Sequence, residues 1–235
     1  MNYSFNKNEI DKLYNDLERV GNYFVGQSIN VIYTKRFGGI WQSDEAEIAK
    51  IYNAEPGDYK IIDRNRNNII DDDDRDFVGQ TTPQFFGSFS NTFKSHGFDL
   101  TIFLTYAGGH KIYNPFAYLD SYSPSANMSP DYYHNYWTPE RPSNKYPRLG
   151  STNSQLYETD GMYQKGDYIR LKNLELGYTL PRNIANKVYA SNIRVYASVQ
   201  NLVTFTKYTG FDVETSNANP YPACRVFMGG LTVNF

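Results

Sequence analysis

The strongest signal along the chain is a two-residue alternation of apolar and polar side chains, the period that a strand imposes because successive Cβ atoms point to opposite faces. In 85–94, Phe85, Phe89 and Phe93 share a parity with Gly87, and Ser88, Ser90, Thr92 and Lys94 share the other. In 98–106, Phe98, Leu100, Ile102, Leu104 and Tyr106 face one way, and Asp99, Thr101 and Thr105 the other. Ser95-His96-Gly97 between them predicts a tight hairpin. A third strand is predicted over 168–180. There Leu174, Leu176, Tyr178 and Leu180 share a parity with Tyr168, Arg170 and Lys172, whereas Ile169 and Leu171 sit on the other, so the apolar phase flips near Asn173. That flip predicts a β-bulge or a passage from a solvated end into an apolar layer. Residues 193–200 alternate cleanly, and a last strand sets Phe227, Gly229, Leu231, Val233 and Phe235 against Met228, Gly230, Thr232 and Asn234. Residues 2–7 look like the tail of one more strand.

Elsewhere the period changes. Ile10, Leu13, Tyr14, Leu17 and Val20 have the spacing of one helical face behind Asn8, a residue type suited to capping a helix, and predict a short surface helix or turn. Residues 21–42 are aromatic and β-branched but broken by Gly21, Gly26, Gly38 and Gly39, which predicts extended segments with turns. Residues 43–52 predict a short acidic helix capped by Ser43. Residues 107–165 carry Tyr and six prolines with weak periodicity, and predict a long loop that opens with a bend at Gly108-Gly109.

Composition narrows the class. The 22 Tyr and 15 Phe occur with a mean hydropathy of −0.62, so the aromatics alternate with polar residues instead of forming apolar runs. No stretch approaches the ~18 consecutive apolar residues of a membrane helix, which leaves strands as the way to span a bilayer. A net charge of −2 points to neither nucleic acid nor an anionic membrane surface as partner, and the single cysteine, Cys224, permits no intrachain disulfide. The opening Met1-Asn2-Tyr3-Ser4-Phe5-Asn6-Lys7 lacks the basic and apolar regions of a signal peptide.

A soluble β-sandwich also alternates, so two further features matter. The predicted long loop and tight hairpin lie at opposite strand ends, and aromatics gather at those ends (Phe98 and Tyr106, Phe205 and Tyr208, Phe227 and Phe235). Both are properties of outer-membrane barrels. About six strands are visible, short of the eight of the smallest membrane barrels. The expected fold is all-β: an antiparallel transmembrane β-barrel fragment, about six strands of a larger barrel, with long extracellular loops. The competing expectation is a soluble secreted β-sandwich binding module with a calcium loop.

The motifs carry a more specific resemblance. Gly166-Asp167-Tyr168-Ile169-Arg170-Leu171-Lys172-Asn173-Leu174-Glu175-Leu176-Gly177-Tyr178-Thr179-Leu180-Pro181 closely resembles a signature near the end of the SusC/RagA family, the TonB-dependent outer-membrane transporters of Bacteroidetes. The segment from Val195 to Asp212 is similar to the family's next block, and Pro56-Gly57-Asp58, Asp63-Arg64-Asn65-Arg66-Asn67 and Gly97-Phe98-Asp99-Leu100 also resemble it, as does Phe5-Asn6-Lys7-Asn8. The resemblance implies residence in the outer membrane of a Gram-negative bacterium and TonB-energised import of oligosaccharides or peptides. It also implies a SusD-like surface lipoprotein as lid. Over 1–235 it covers the C-terminal part of such a barrel, without plug domain or signal peptide; contact with the TonB complex is expected through an N-terminal part absent here. The ending Gly230, Val233 and Phe235 resembles the signal read by barrel assembly machinery.

Candidate chemistry is sparse. Asp63, Asn65, Asn67, Ile69, Asp71 and Asp74 occupy positions 1, 3, 5, 7, 9 and 12 of a calcium loop, which presents alternate oxygens to one hard cation. Asn68 stands where a glycine is usual and Asp74 where a bidentate Glu is usual. His96, His110 and His134 lack metal-ligand spacing, and nothing singles out a catalytic pair, so the chain is not expected to be an enzyme. Tyr113, Tyr118, Tyr122, Tyr132, Tyr133, Tyr136 and Trp137 could stack sugar rings, touch the lid or pack on one another. Of these Tyr132, Tyr133, Tyr136 and Trp137 are the expected substrate or lid contacts.

Overall fold

The computed structural model describes residues 1–114, 128, 130–151, 158–215 and 221–235. The described chain forms two compact units, one of residues 1–7, 83–109 and 165–235 and one of residues 8–82 and 110–164. The first is a sheet of six strands: β1 (Asn2–Phe5), β2 (Phe85–Ser95), β3 (Phe98–Gly108), β4 (Tyr168–Thr179), β5 (Asn192–Thr206) and β6 (Val226–Asn234). They pair antiparallel in that order, an up-and-down meander. The sheet is open, with β1 and β6 at its edges.

Antiparallel succession sorts the connections by end. β2 and β3 are joined through His96 and Gly97, both at positive φ (49° and 86°), the conformation that a two-residue hairpin requires. β4 and β5 are joined at the same end by Leu180–Ser191, which contains the single-turn helix Arg182–Ala185. The chain's three long excursions, from β1 to β2, β3 to β4 and β5 to β6, all leave the opposite end.

The phase flip in β4 is a bulge. Against β3 its pairing slips between Leu171 and Asn173 with Lys172 as the inserted residue, and against β5 it slips at the same place with the extra residue in β5. β5 runs on to Thr206, beyond the alternation that ends at Gln200, because Asn201 (φ 53°) and Leu202 absorb the slip and pairing resumes at Val203.

The second unit refines three expectations. Of the short helix or turn expected after Asn8, the turn forms: the segment holds a 3-10 turn at Tyr14–Asp16 and the ribbon Arg19–Val20 with Tyr23–Phe24. Tyr14 and Leu17 stay exposed, so a short helix there has no face to bury and cannot offset its nucleation cost. The Asn8 side chain instead accepts bonds from the Ser28 hydroxyl (2.8 Å) and the Ile29 amide (2.9 Å). The acidic helix exists, as a 3-10 turn Ser43–Glu45 running into Ala46–Ile51, but Gln42 caps it through a reciprocal box with Glu45, not Ser43.

The third correction is that the described parts of 107–165 are not a loose loop. Trp137 and Met162 join Ile40 and Tyr59 in a buried core, with Phe37, Tyr113 and Tyr163 packed on it. Each fully buried large side chain contributes about 1.5–3 kcal/mol. The prolines and missing periodicity conceal this because the core is assembled from scattered aromatics instead of one amphipathic element.

Candidate functional site

The register of the six strands gives the sheet two unlike faces. On one, Phe98, Leu100, Ile102, Leu104 and Tyr106 of β3 lie beside Tyr178, Leu176, Leu174, Leu171 and Ile169 of β4. The Lys172 bulge makes this row continuous, because it returns the apolar residues of β4 to a single face. The same face carries Phe89 and Phe93 of β2, Val195, Val199 and Phe205 of β5, and Phe227, Leu231 and Val233 of β6. Its large side chains are half-buried or exposed, the latter including Leu176 50%, Leu231 63%, Phe205 64% and Phe227 73%. The other face holds Ser88, Ser90, Thr92, Thr101, Thr105, Asn173, Ser198 and Gln200, with Phe86, Phe103, Val226 and Met228 as apolar exceptions.

A soluble sheet buries its apolar face on a core and wets its polar one. Here the arrangement is inverted. An exposed apolar band with charged groups behind it suits a wall between hydrocarbon and an aqueous lumen.

Two arginine clusters organise the polar face. At the long-connection end, Arg170 is 3% exposed and binds three partners: the Thr204 hydroxyl (2.8 Å), Asp212 (2.5 Å) and Glu214 (2.5 Å). Lys172 and the Tyr168 hydroxyl also donate to Glu214, each at 3.1 Å. The Asp212 carboxylate accepts the Glu214 and Ala223 amides, each at 2.9 Å. Burial raises the Asp212 carboxyl, but Arg170 and the two amides outweigh it and hold the group below the usual carboxylate range. Arg170 thereby fixes the start and end of the β5–β6 connection to the wall.

At the short-turn end, Arg194 reaches from β5 across β4 to β3, donating to both oxygens of Asp99 (3.0 and 2.5 Å) and to Glu175 (2.7 Å). A Cβ on Gly177 would lie 2.3 Å from that guanidinium, so the glycine is the gap through which the arginine passes. Gly230 has a similar role, since a Cβ there would lie 2.3 Å from the Tyr196 ring. Gly230 therefore makes room for a ring. Val233 lies on the apolar face opposite Ile193, and Phe235 is exposed beyond β6. Tyr208 does not belong to the aromatic end-band; it is buried past the end of β5.

In the second unit, the loop predicted for calcium closes on its own backbone. Asp63 accepts the Asn68 (2.8 Å), Arg66 (2.6 Å) and Asn67 (3.3 Å) amides and the Tyr52 hydroxyl (3.0 Å). Asp74 accepts the Arg64 (2.7 Å), Asn65 (3.4 Å) and Asp71 (3.0 Å) amides. Asn65, Asn67 and Asp71 each accept an amide two residues on, the Asx-turn pattern. Burial raises the Asp63 carboxyl, but these donors overcome it and lower its pKa. Among the described residues no three acidic, histidine or cysteine side chains converge as a metal-holding group. The turn oxygens keep further lone pairs for a hard cation.

The aromatic contacts divide. Tyr132 and Trp137 are buried, Trp137 donating to Gln42 (3.0 Å) and Tyr132 packing on Tyr146 (5.7 Å between centroids). Both have packing roles, which corrects their expected use as contacts. Tyr133 is exposed and Tyr136 half-buried under Arg141. Tyr118 and Tyr122 lie outside the described residues.

No family model matches the chain. Among curated proteins it is 30% identical to TonB-dependent receptor P3 of Formosa agariphila over a 265-residue alignment, covering 100% of this chain and 26% of that receptor. It is 27% identical to TonB-dependent receptor SusC of Bacteroides thetaiotaomicron, covering 78% of this chain and 18% of SusC. The chain belongs to the SusC/RagA family of TonB-dependent receptors. It spans about a quarter of the length of the curated relatives it matches. Its fold matches the RagAB peptide transporter with a TM-score of 0.78 at 24% identity, over 99% of this chain and 26% of that one.

With the family known, its sequence blocks acquire physical reasons. In Pro56-Gly57-Asp58, Gly57 sits at φ 91° with its missing Cβ position 2.5 Å from the Trp137 ring, and Asp58 accepts Arg148 (2.9 Å). In Gly97-Phe98-Asp99, the glycine turns the hairpin and the aspartate receives Arg194. Sequence reasoning missed both arginine clusters of this SusC/RagA wall. A signal was available: Arg170, Glu175 and Arg194 sit within strands, where a charge opposite an apolar face asks for a partner.

Proposed function

We propose that this SusC/RagA chain is wall and outward loops of an outer-membrane nutrient importer energised through TonB, with oligosaccharides or peptides as cargo and a SusD-like surface lipoprotein as partner. The observation that carries the reading is the inverted sheet, with exposed aromatics and aliphatics on one face and the Arg170 and Arg194 clusters on the other. The sorting of connections agrees with it, because extracellular loops are long and periplasmic turns short. The likeness to the RagAB peptide transporter supports peptides as one cargo class. In the same reading Gly230, Val233 and Phe235 serve barrel assembly machinery, Tyr133 and Tyr136 are available to cargo or lid, and calcium orders the Asp63–Asp74 loop.

Fractionation of cells carrying the native gene tests the proposal. The product is expected in the outer membrane, with Cys224, exposed in the β5–β6 connection, labelled on intact cells by a membrane-impermeant maleimide. A product confined to the soluble periplasm or medium would establish the β-sandwich alternative instead.

A further inference from the structure

A groove of about 730 Å³ opens at the long-connection end of β2 to β5. That volume is within the range of small-ligand sites. Its floor is Phe85, Tyr106, Ile169 and Phe205, and its rim carries Lys165, Asp167 and Lys207. By strand parity Ile169, Phe205, Tyr106 and Phe85 belong to the apolar face, so the groove lies on the membrane side of the wall. Two glycines shape it. A Cβ on Gly108 would lie 2.5 Å from the Phe85 ring, and one on Gly87 would lie 2.5 Å from the Tyr106 hydroxyl. The missing side chains let both rings fold onto the sheet, Tyr106 donating to the Asn2 carbonyl (2.9 Å).

The rim is net positive, with two ammonium groups against the one carboxylate of Asp167. Asp167 is engaged by the Gly109 amide at 2.8 Å. Lys165 and Lys207 are exposed and have no salt-bridge partner among the described residues. An aromatic and aliphatic floor continuous with the bilayer band, under two free ammonium groups at the headgroup level, complements an anionic lipid. We propose that this groove holds an acyl chain of a phosphorylated, acylated glycolipid of the lipid A class, with Lys165 and Lys207 binding its phosphate. The proposal rests on the outer-membrane reading above, which assigns the long-connection end to the outer leaflet.

The test uses the complete native receptor in nanodiscs, with purified monophosphoryl lipid A and its dephosphorylated form as probes, read by native mass spectrometry. Each lysine near an anionic headgroup contributes about fivefold in affinity. Lys165→Gln and Lys207→Gln are each expected to weaken phosphorylated lipid A about fivefold, and the pair together roughly thirtyfold. Dephosphorylated lipid is expected to bind wild type as weakly as phosphorylated lipid binds the double variant. Lys94→Gln, on the polar face at the other end of β2, is expected to change nothing. Equal binding by the double variant, equal binding of both lipids, or no lipid A bound by a receptor recovered from the outer membrane overturns the groove alone. Absence of the receptor from the outer membrane overturns both this proposal and the one it rests on.

Discussion

Replacing Arg170 with methionine tests how the wall holds its outward connection. The substitution keeps length and apolar volume but removes the donors to Thr204, Asp212 and Glu214. Both ends of the Arg170–Asp212 pair have side chains only 4% exposed, so the aspartate is left charged and buried. Breaking one partner of a buried pair costs about 3–5 kcal/mol. The Glu214 and Ala223 amides still reach Asp212, which places this case at the low end, about 3 kcal/mol. Local opening of the connection is then expected to rise roughly hundredfold, since 1.4 kcal/mol is a factor of ten. The assay is hydrogen exchange by mass spectrometry on peptides containing Glu214 and Ala223, with peptides of the β2–β3 hairpin as the unchanged reference. Adding Asp212→Asn is expected to recover part of the protection, because the stranded charge is gone. Exchange at Glu214 and Ala223 within threefold of wild type would refute the reasoning, as would equal loosening of the hairpin.

Other outcomes follow from the same geometry. Leu174→Arg, in the middle of the apolar row, is expected to cost about 2–4 kcal/mol and Ile169→Arg, near its end, about 0–1; outer-membrane yield and unfolding in urea check the contrast, and equal costs would argue against a bilayer around the strands. Gly177→Val is expected to push Arg194 off Asp99 and destabilise the wall by about 1–3 kcal/mol, read as a lower temperature for the heat-induced gel shift; an unchanged shift would mean that Arg194 has another path. Saturable calcium binding by the intact receptor, measured calorimetrically, is expected to disappear in Asp63→Ala, and a titration without heat would remove the cation from the account. Asp63 and Asp212 have lowered folded pKa values. Their stabilisation is therefore complete above the unfolded carboxylate value of about 3.9 and lost as pH falls through the folded values; protease cutting near both segments is expected to rise only in that acid range.

The sequence by itself determined the strands, because a period of two is a local property that survives any tertiary arrangement. Phe98 to Tyr106 and Ile193 to Val199 declare their face without reference to a neighbour, and the flip at Asn173 declares the bulge. The His96-Gly97 turn is equally local, since positive φ at both positions follows from the hairpin geometry. The family blocks were legible for the same reason: they are contiguous. What only the tertiary structure decided is everything that joins distant segments. Arg170 meets Asp212 across 42 residues and Arg194 meets Asp99 across 95, and no pattern in one dimension pairs them. Trp137 and Gly57 form one packed contact from two distant stretches, and of the helix or turn expected after Asn8 only the turn forms, for want of a surface to cover. The decisive fact about the sheet is of this kind too. Alternation says that a strand has an apolar side, but only the assembled wall shows that this side is left uncovered, because burial is a property of the neighbours.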